Sequence, residues 1–402
     1  MWWMATTALA ADWPMLQGTE PAGAEAVRPW GFAQVVGEGI VGGRPVHGLS
    51  PGLDAVEGQL PAFDRVGGGD ATWGFGLRRA RAGLRGVVPA TSGRVNWLVA
   101  LEFGDNALTR LDPVVMTDAS VTWSAAPGVR LRAGQFKLPL GEEALEMNPM
   151  AAQFVNLTQA TAQLLAENPV AAGAYTAGGS GFRDVGVQWF DTRPVGPGEV
   201  SYALMVSNGR MGSLELDDAK DVTGRVSVTP WVWGDPGALQ RDELGAWVFH
   251  TQGRRELDGV EAARIRQGAG VKLQRSGWQL RGELLHAAGM LELGANPPFP
   301  GQGVVVAPEG RALGGYTSVH YGRGHAAGGL RYDELARSTE SEPDRRVFRT
   351  LTADLQLVGS PRARLMVDYE LRWLTAPGGS EDARRIAAAM GDRASVQAVA
   401  VF

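Results

Sequence analysis

Arg362-Ala363-Arg364-Leu365-Met366-Val367-Asp368-Tyr369-Glu370-Leu371-Arg372-Trp373 alternates without a break. In an extended chain successive side chains point to opposite faces. Ala363, Leu365, Val367, Tyr369, Leu371 and Trp373 therefore share one face, and Arg362, Arg364, Met366, Asp368, Glu370 and Arg372 share the other. One face is wholly apolar with aromatic ends; the other is almost wholly charged. A strand of a soluble sandwich turns its polar face to bulk water. In a closed membrane barrel the apolar face meets lipid and the charged face lines an aqueous lumen.

The same period-two pattern recurs in about sixteen segments. The first lies near 27–40 (Trp30, Phe32, Gln34, Val36). The second, near 75–88, sets Ala80, Ala82, Leu84 and Val88 against Arg79, Arg81 and Arg85. The third, near 93–103, sets Val95, Trp97, Val99, Leu101 and Phe103 against Arg94, Asn96 and Glu102. The fourth (114–124) opposes Ala119, Val121 and Trp123 to Asp118, Ser120 and Thr122, and the fifth (128–137) opposes Val129, Leu131 and Ala133 to Arg130 and Arg132. Further segments lie near 183–190, 199–207, 221–230, 243–252, 264–275, 277–286, 312–321, 325–335, 347–358, 361–373 and 394–402. Of these, the one around Trp247 to Thr251 alternates poorly.

The connections fall into two classes that alternate. Short ones lie at Pro89–Gly93, Ala125–Pro127, Asp191–Gly198, Ser276, Gly322–Gly324 and Gly359–Ser360. Long ones lie at Val41–Gly74, Leu138–Phe182, Asn208–Lys220, Ala287–Arg311 and Leu374–Arg393, with Trp231–Asp242 longer than its class. Outer-membrane barrels have short periplasmic turns and long outer loops; sandwiches and propellers have no such asymmetry. The pattern predicts an all-β, 16-stranded antiparallel transmembrane β-barrel over residues 27–402, ending on Phe402. Residues 1–11 read as a truncated signal peptide, with Ala8-Leu9-Ala10 as a peptidase-like site, and 12–26 as an N-terminal segment.

Composition agrees. No stretch approaches the roughly 18 apolar residues of a membrane helix, so a spanning chain must close into a barrel. The 56 glycines suit tight turns and loops. Of 38 basic side chains only Lys137, Lys220 and Lys272 are lysine, leaving 35 arginines, the rigid and permanently charged donors. A net charge of -5 gives no basic field for nucleic acid. The absence of cysteine excludes disulfides and thiolate metal sites.

Catalytic signals are missing. His47, His250, His286, His320 and His325 are scattered, with none at metal-ligand spacing. Gly37-Glu38-Gly39-Ile40-Val41-Gly42 imitates a dinucleotide motif, but Gly43-Arg44-Pro45 follows where a helix is needed. The reading is no enzyme, no cofactor and no metal. The long connection 138–182 stands out, because structureless loops beyond about 12–15 residues are usually functional. It contains a helix-permissive run, Asn156–Glu167, and is read as a constriction loop folded into the lumen.

Several segments are similar to one family. Arg130-Leu131-Arg132-Ala133-Gly134-Gln135-Phe136-Lys137-Leu138-Pro139-Leu140 resembles the central motif of the phosphate-selective porins O and P of Gram-negative outer membranes. Leu77-Arg78-Arg79-Ala80-Arg81 resembles that family's second-strand cluster, and Arg183-Asp184-Val185-Gly186-Val187-Gln188 its sixth-strand entry. Ser207-Asn208-Gly209, Gly224-Arg225-Val226-Ser227-Val228-Thr229-Pro230 and Leu330-Arg331-Tyr332-Asp333 resemble later pieces. The resemblance implies a sixteen-stranded homotrimer in outer-membrane lipid and passive diffusion of small anions such as phosphate. One departure bears on selectivity. No Lys or Arg occurs between Lys137 and Arg183, whereas Glu142, Glu143, Glu146 and Glu167 do.

The expected function is therefore a porin for small hydrophilic, chiefly anionic solutes. Arg79, Arg81, Arg85, Arg130, Arg132, Lys137, Arg364 and Arg372 are expected to line the pore and attract anions, opposed by the loop glutamates. The alternatives are a barrel whose long loops act as an adhesin or surface-binding protein without an open channel, and a secreted all-β binding protein.

Overall fold

Every alternating segment becomes one strand. The computed structural model describes residues 16–66, 71–106, 113–146, 148–166, 170–175, 181–209, 218–233, 241–257 and 259–402. The strands are β1 (Arg28–Val41), β2 (Trp73–Val87), β3 (Val95–Glu102), β4 (Val115–Ala126), β5 (Val129–Lys137), β6 (Arg183–Val195), β7 (Gly198–Ser207) and β8 (Asp221–Trp233). They continue as β9 (Asp242–Leu257), β10 (Val260–Arg275), β11 (Trp278–Ala288), β12 (Arg311–Arg323), β13 (Ala326–Arg337), β14 (Arg346–Ser360), β15 (Ala363–Thr375) and β16 (Asp392–Val401). Each pairs with its sequence neighbours, and β16 returns antiparallel to β1 from Phe32↔Val401 to Val41↔Asp392, closing the barrel. Closure leaves no sheet edge for lipid to meet.

The faces are arranged as the alternation requires. Along β15, Leu365, Val367, Tyr369, Leu371 and Trp373 are exposed, whereas Arg364, Asp368, Glu370 and Arg372 are buried against the interior. Aromatics edge the outer belt. Trp123, Trp189, Trp231, Trp278 and Tyr321 lie toward the short turns, and Trp73, Phe75, Phe103, Tyr332 and Trp373 toward the long loops. Val367→Arg should therefore destabilise the folded barrel by about 2–4 kcal/mol. Urea unfolding in lipid vesicles measures this; an unchanged midpoint would contradict a lipid-facing Val367.

Three details differ from the sequence reading. The lumen face is not only ionic: Phe136, Met205, Phe249, Leu285 and Leu335 point inward and pack together with loop residues. This explains the poor alternation near Trp247, because Trp247 and Phe249 are buried inside while His250 is outside. On the long-loop side, β9 and β10 stay paired to their ends at Leu257↔Val260, with Gly259 at φ +80°. Finally, Arg78 is a bulged residue. The register passes from Gln34↔Arg79 to Val35↔Leu77, so Arg78 has no partner across the ladder. The phase of β2 inverts there. Trp73, Phe75 and Leu77 face outward with the same parity that, below the bulge, puts Arg79, Arg81 and Arg85 on the lumen side.

The long loops also build structure. Val46 and Val56 of the 42–72 connection, Phe299, and Ile386 with Ala389 of the 376–391 connection bury one another in an apolar cluster. The last two flank or belong to α3 (Glu381–Ala388), whose Ser380 cap accepts from Ala383 N at 3.1 Å.

Candidate functional site

The described residues of the 138–182 connection enter the barrel and cross it between Leu138 and Ala166. It carries α1 (Glu142–Leu145) and α2 (Gln159–Leu164). Leu138, Leu140, Ala144, Ala160, Leu164 and Leu165 are buried against Phe136, Met205, Phe249, Leu285 and Leu335 of the wall. The apolar inward residues exist to hold this loop.

Charge fixes what apolar contact positions. The Glu142 carboxylate takes Arg225 Nη2 at 2.6 Å and Lys272 Nζ at 2.5 Å, and its backbone N–H donates to Glu283 Oε1 at 3.0 Å. Arg225 also donates from Nη1 to Leu140 O at 2.5 Å. Burial opposes ionisation of Glu142, but the Lys272 and Arg225 cations outweigh it and hold the carboxyl down at about 2. Glu143 accepts from Arg331 Nη1 at 3.1 Å and from Thr158 Oγ1 at 2.6 Å. Glu146 is paired with Arg281.

Helix α2 is fastened at both ends. Its Thr158 cap accepts from Thr161 N at 3.2 Å, and Gln159 N donates to Asp333 Oδ1 at 3.0 Å, placing a carboxylate at the positive helix end. At the other end Arg266 Nε donates to Leu164 O at 3.0 Å. Between the helices the chain reaches the far wall. Val155 N donates to Asp368 Oδ2 at 2.8 Å, Asn156 Nδ2 to Ser395 Oγ at 3.1 Å, and Arg78 Nη1 to Asn156 Oδ1 at 2.7 Å. The contacts thus run from β8 and β10 through β13 to β15, β16 and β2.

Beside this crossing remains a small cavity of about 60 Å³ that opens into the lumen. Arg78, Arg79, Arg281 and Arg331 line it together with Glu143 and Glu146. Arg331 lies over the Phe154 ring, 4.5 Å from its centroid.

The expected pore residues divide into groups. Arg79 borders the cavity, its guanidinium 4.9 Å from the Phe32 ring centroid. Arg81 is buried and paired with Glu102 at 2.8 Å. Arg130 is paired with Asp191, and Arg85 with Glu20. Arg132 is buried, donating to Thr122 Oγ1 at 3.1 Å and lying 4.5 Å from the Phe190 centroid. Lys137 Nζ donates to the carbonyls of Ala144 and Leu145 at 3.1 and 2.8 Å, so it terminates α1. Arg364 donates to Gln356 Oε1 at 3.2 Å. Arg372 reaches Asp64 at 2.7 Å, near the outer mouth. Glu142, Glu143 and Glu146 lie inside the barrel, each in an ion pair. Glu167 falls outside the described residues.

Sequence reasoning did not select Arg78, Arg281 or Arg331. Arg331 and Arg281 stand at lumen parity on β13 and β11, a signal the alternation carried. Arg78 had no such signal, because the bulge alone turns it inward. His320 is buried in the lumen wall and contacts Asp354 Oδ1 at 2.9 Å. Among the described residues no three His, Asp or Glu side chains are grouped to hold a metal ion.

The family model of the phosphate-selective porins O and P matches residues 58–189. No curated protein matches the chain. Among solved structures, the anion-selective porin from Comamonas acidovorans aligns with a TM-score of 0.58 at 13% identity, covering 94% of this chain and 100% of that one. OmpF of Salmonella typhi in complex with daunomycin aligns at 0.57 and 10% identity, covering 94% and 97%. The outer membrane channel DcaP of Acinetobacter baumannii aligns at 0.53 and 11% identity, covering 96% and 99%. The fold is that of the porins, and an apolar, aromatic-edged belt around such a barrel places the chain in the outer membrane of a Gram-negative bacterium.

Proposed function

We propose that this porin-fold barrel is a passive channel for small hydrophilic solutes, with a preference for anions such as phosphate. The observation that carries the reading is the loop pinned across the lumen beside an arginine-lined space. Arg78, Arg79, Arg281 and Arg331 face that space against Glu143 and Glu146. Fixed charges at a narrow point set ion preference through the local potential. The family match over 58–189 supports an anion preference, since that stretch holds β2, β5 and the loop. Arg79, Arg132, Lys137 and Arg364 contribute positive potential along the wall; the contributions of Arg81, Arg85, Arg130 and Arg372 are offset by Glu102, Glu20, Asp191 and Asp64, and the loop glutamates reduce the total.

Purified, folded protein should raise stepwise current in planar bilayers; protein that never does so refutes the channel. Replacing Arg130 and Arg132 together with glutamine should lower the anion-to-cation permeability ratio several-fold, read as a reversal potential moving toward cations. An unchanged potential would remove them from the selectivity machinery.

We also infer a homotrimer. The outward faces of β16 and β1 carry Ala394, Val396, Ala398, Ala400, Ala33, Val35 and Gly37, a flat apolar strip suited to close packing between barrels. Native mass measurement in detergent tests it.

A further inference from the structure

Arg28 on β1 and Arg85 on β2 stand directly opposite in register at the short-turn end of the barrel. Like charges directly opposite across a ladder repel, so an anion between them relieves the pair. The structure supplies one from the chain itself. Arg28 Nη2 donates to both Glu20 oxygens, at 3.0 and 3.2 Å, and Arg85 Nε donates to the same carboxylate. Arg85 Nη2 adds a bond to Thr19 O at 2.9 Å. The Glu20 side chain is only 3% exposed.

The segment bearing Glu20 runs inside the barrel. Leu16 packs against Leu145, Phe190 and Ala203, directly beneath α1. Gln17 Nε2 donates to Leu145 O, and Gln17 O accepts from Arg132 Nη2, each at 2.5 Å. The wall is shaped to admit it. A Cβ at Gly86 would lie 2.0 Å from Ala26 O, and one at Gly93 would lie 2.2 Å from Ala22 O. Two glycines thus permit the close approach of the incoming strand of chain.

We propose that Arg28 and Arg85 form an oxyanion-binding site at the periplasmic mouth of the lumen, and that Glu20 occupies it as a tethered mimic of the free anion. The inference rests on the channel reading for its biological sense, but the site itself is a binding claim. Freed of Glu20, the opposed guanidiniums present convergent donors to a phosphate or carboxylate. In the wild type the tethered carboxylate competes with that ligand.

The test uses inorganic phosphate and the full-length, detergent-folded barrel, with binding followed by phosphorus NMR line broadening. Glu20→Gln should bind phosphate about tenfold more tightly than wild type, equivalent to about 1.4 kcal/mol. Adding Arg85→Gln to Glu20→Gln should abolish the gain. Deletion of residues 16–26 should reproduce the Glu20→Gln result. Equal phosphate affinity in wild type and Glu20→Gln overturns the proposal, as does a gain that survives Arg85→Gln. Bilayer current from the same preparations reports on the channel reading separately: binding without current sinks the channel and keeps the site, and current without the binding gain does the reverse.

Discussion

Excising residues 148–166 and rejoining the loop should raise single-channel conductance several-fold. Those residues include the crossing contacts to Asp368, Ser395 and Arg78 and the whole of α2. Their removal leaves the strand ladders intact, because every barrel pairing is strand to strand. It also strips Ala160, Leu164 and Leu165 from the apolar cluster on the wall. The shortened barrel should therefore conduct more and discriminate less, while its unfolding midpoint falls. Conductance unchanged by the excision would mean that the loop does not set the narrowest point.

Glu142→Gln is the largest single-residue effect expected. It leaves Arg225 buried beside a neutral amide while Lys272 keeps Glu243 at 2.7 Å, and losing one partner of a buried ion pair costs about 3–5 kcal/mol. The loss is concentrated where the loop enters the barrel, so noisy, widened channels should accompany the lower stability in urea. A well-behaved channel of wild-type stability would refute the anchoring role. The pH dependence follows from the same group. Its folded value is held at about 2, below an unfolded reference of about 4.3. The stabilisation is complete above the unfolded value and is lost as pH falls through the folded one. Loop anchoring should persist at neutral and mildly acidic pH and fail between about 4.3 and 2. Channel noise recorded across that window checks it, and Glu142→Gln should show a smaller acid transition, carried by the remaining anchoring carboxylates of Glu143, Glu146, Asp333 and Asp368.

Much of the barrel was legible because its signal is local. Arg362–Trp373 announces a lumen face and a lipid face from one residue to the next, and β15 places Leu365 and Arg364 accordingly. Paired long and short connections gave the up-and-down order, and the helix-permissive run gave α2. The corrections arose where the partner of a residue is distant. Trp247 and Phe249 look like faults in a strand until the loop that packs on them is present. Glu142 and Glu143 look like solvated neighbours in sequence, yet they bond Lys272 and Arg331, more than a hundred positions away.

The chain by itself therefore determined the number of strands, their alternation and the side each one turns to lipid, since a two-residue period is a property of neighbouring residues. Tertiary closure decided the rest. It brought the loop's carboxylates to cations on the far wall, carried Glu20 between Arg28 and Arg85, and through one bulged residue turned Arg78 inward. Those outcomes depend on which strands become neighbours around a ring, and no local pattern encodes that.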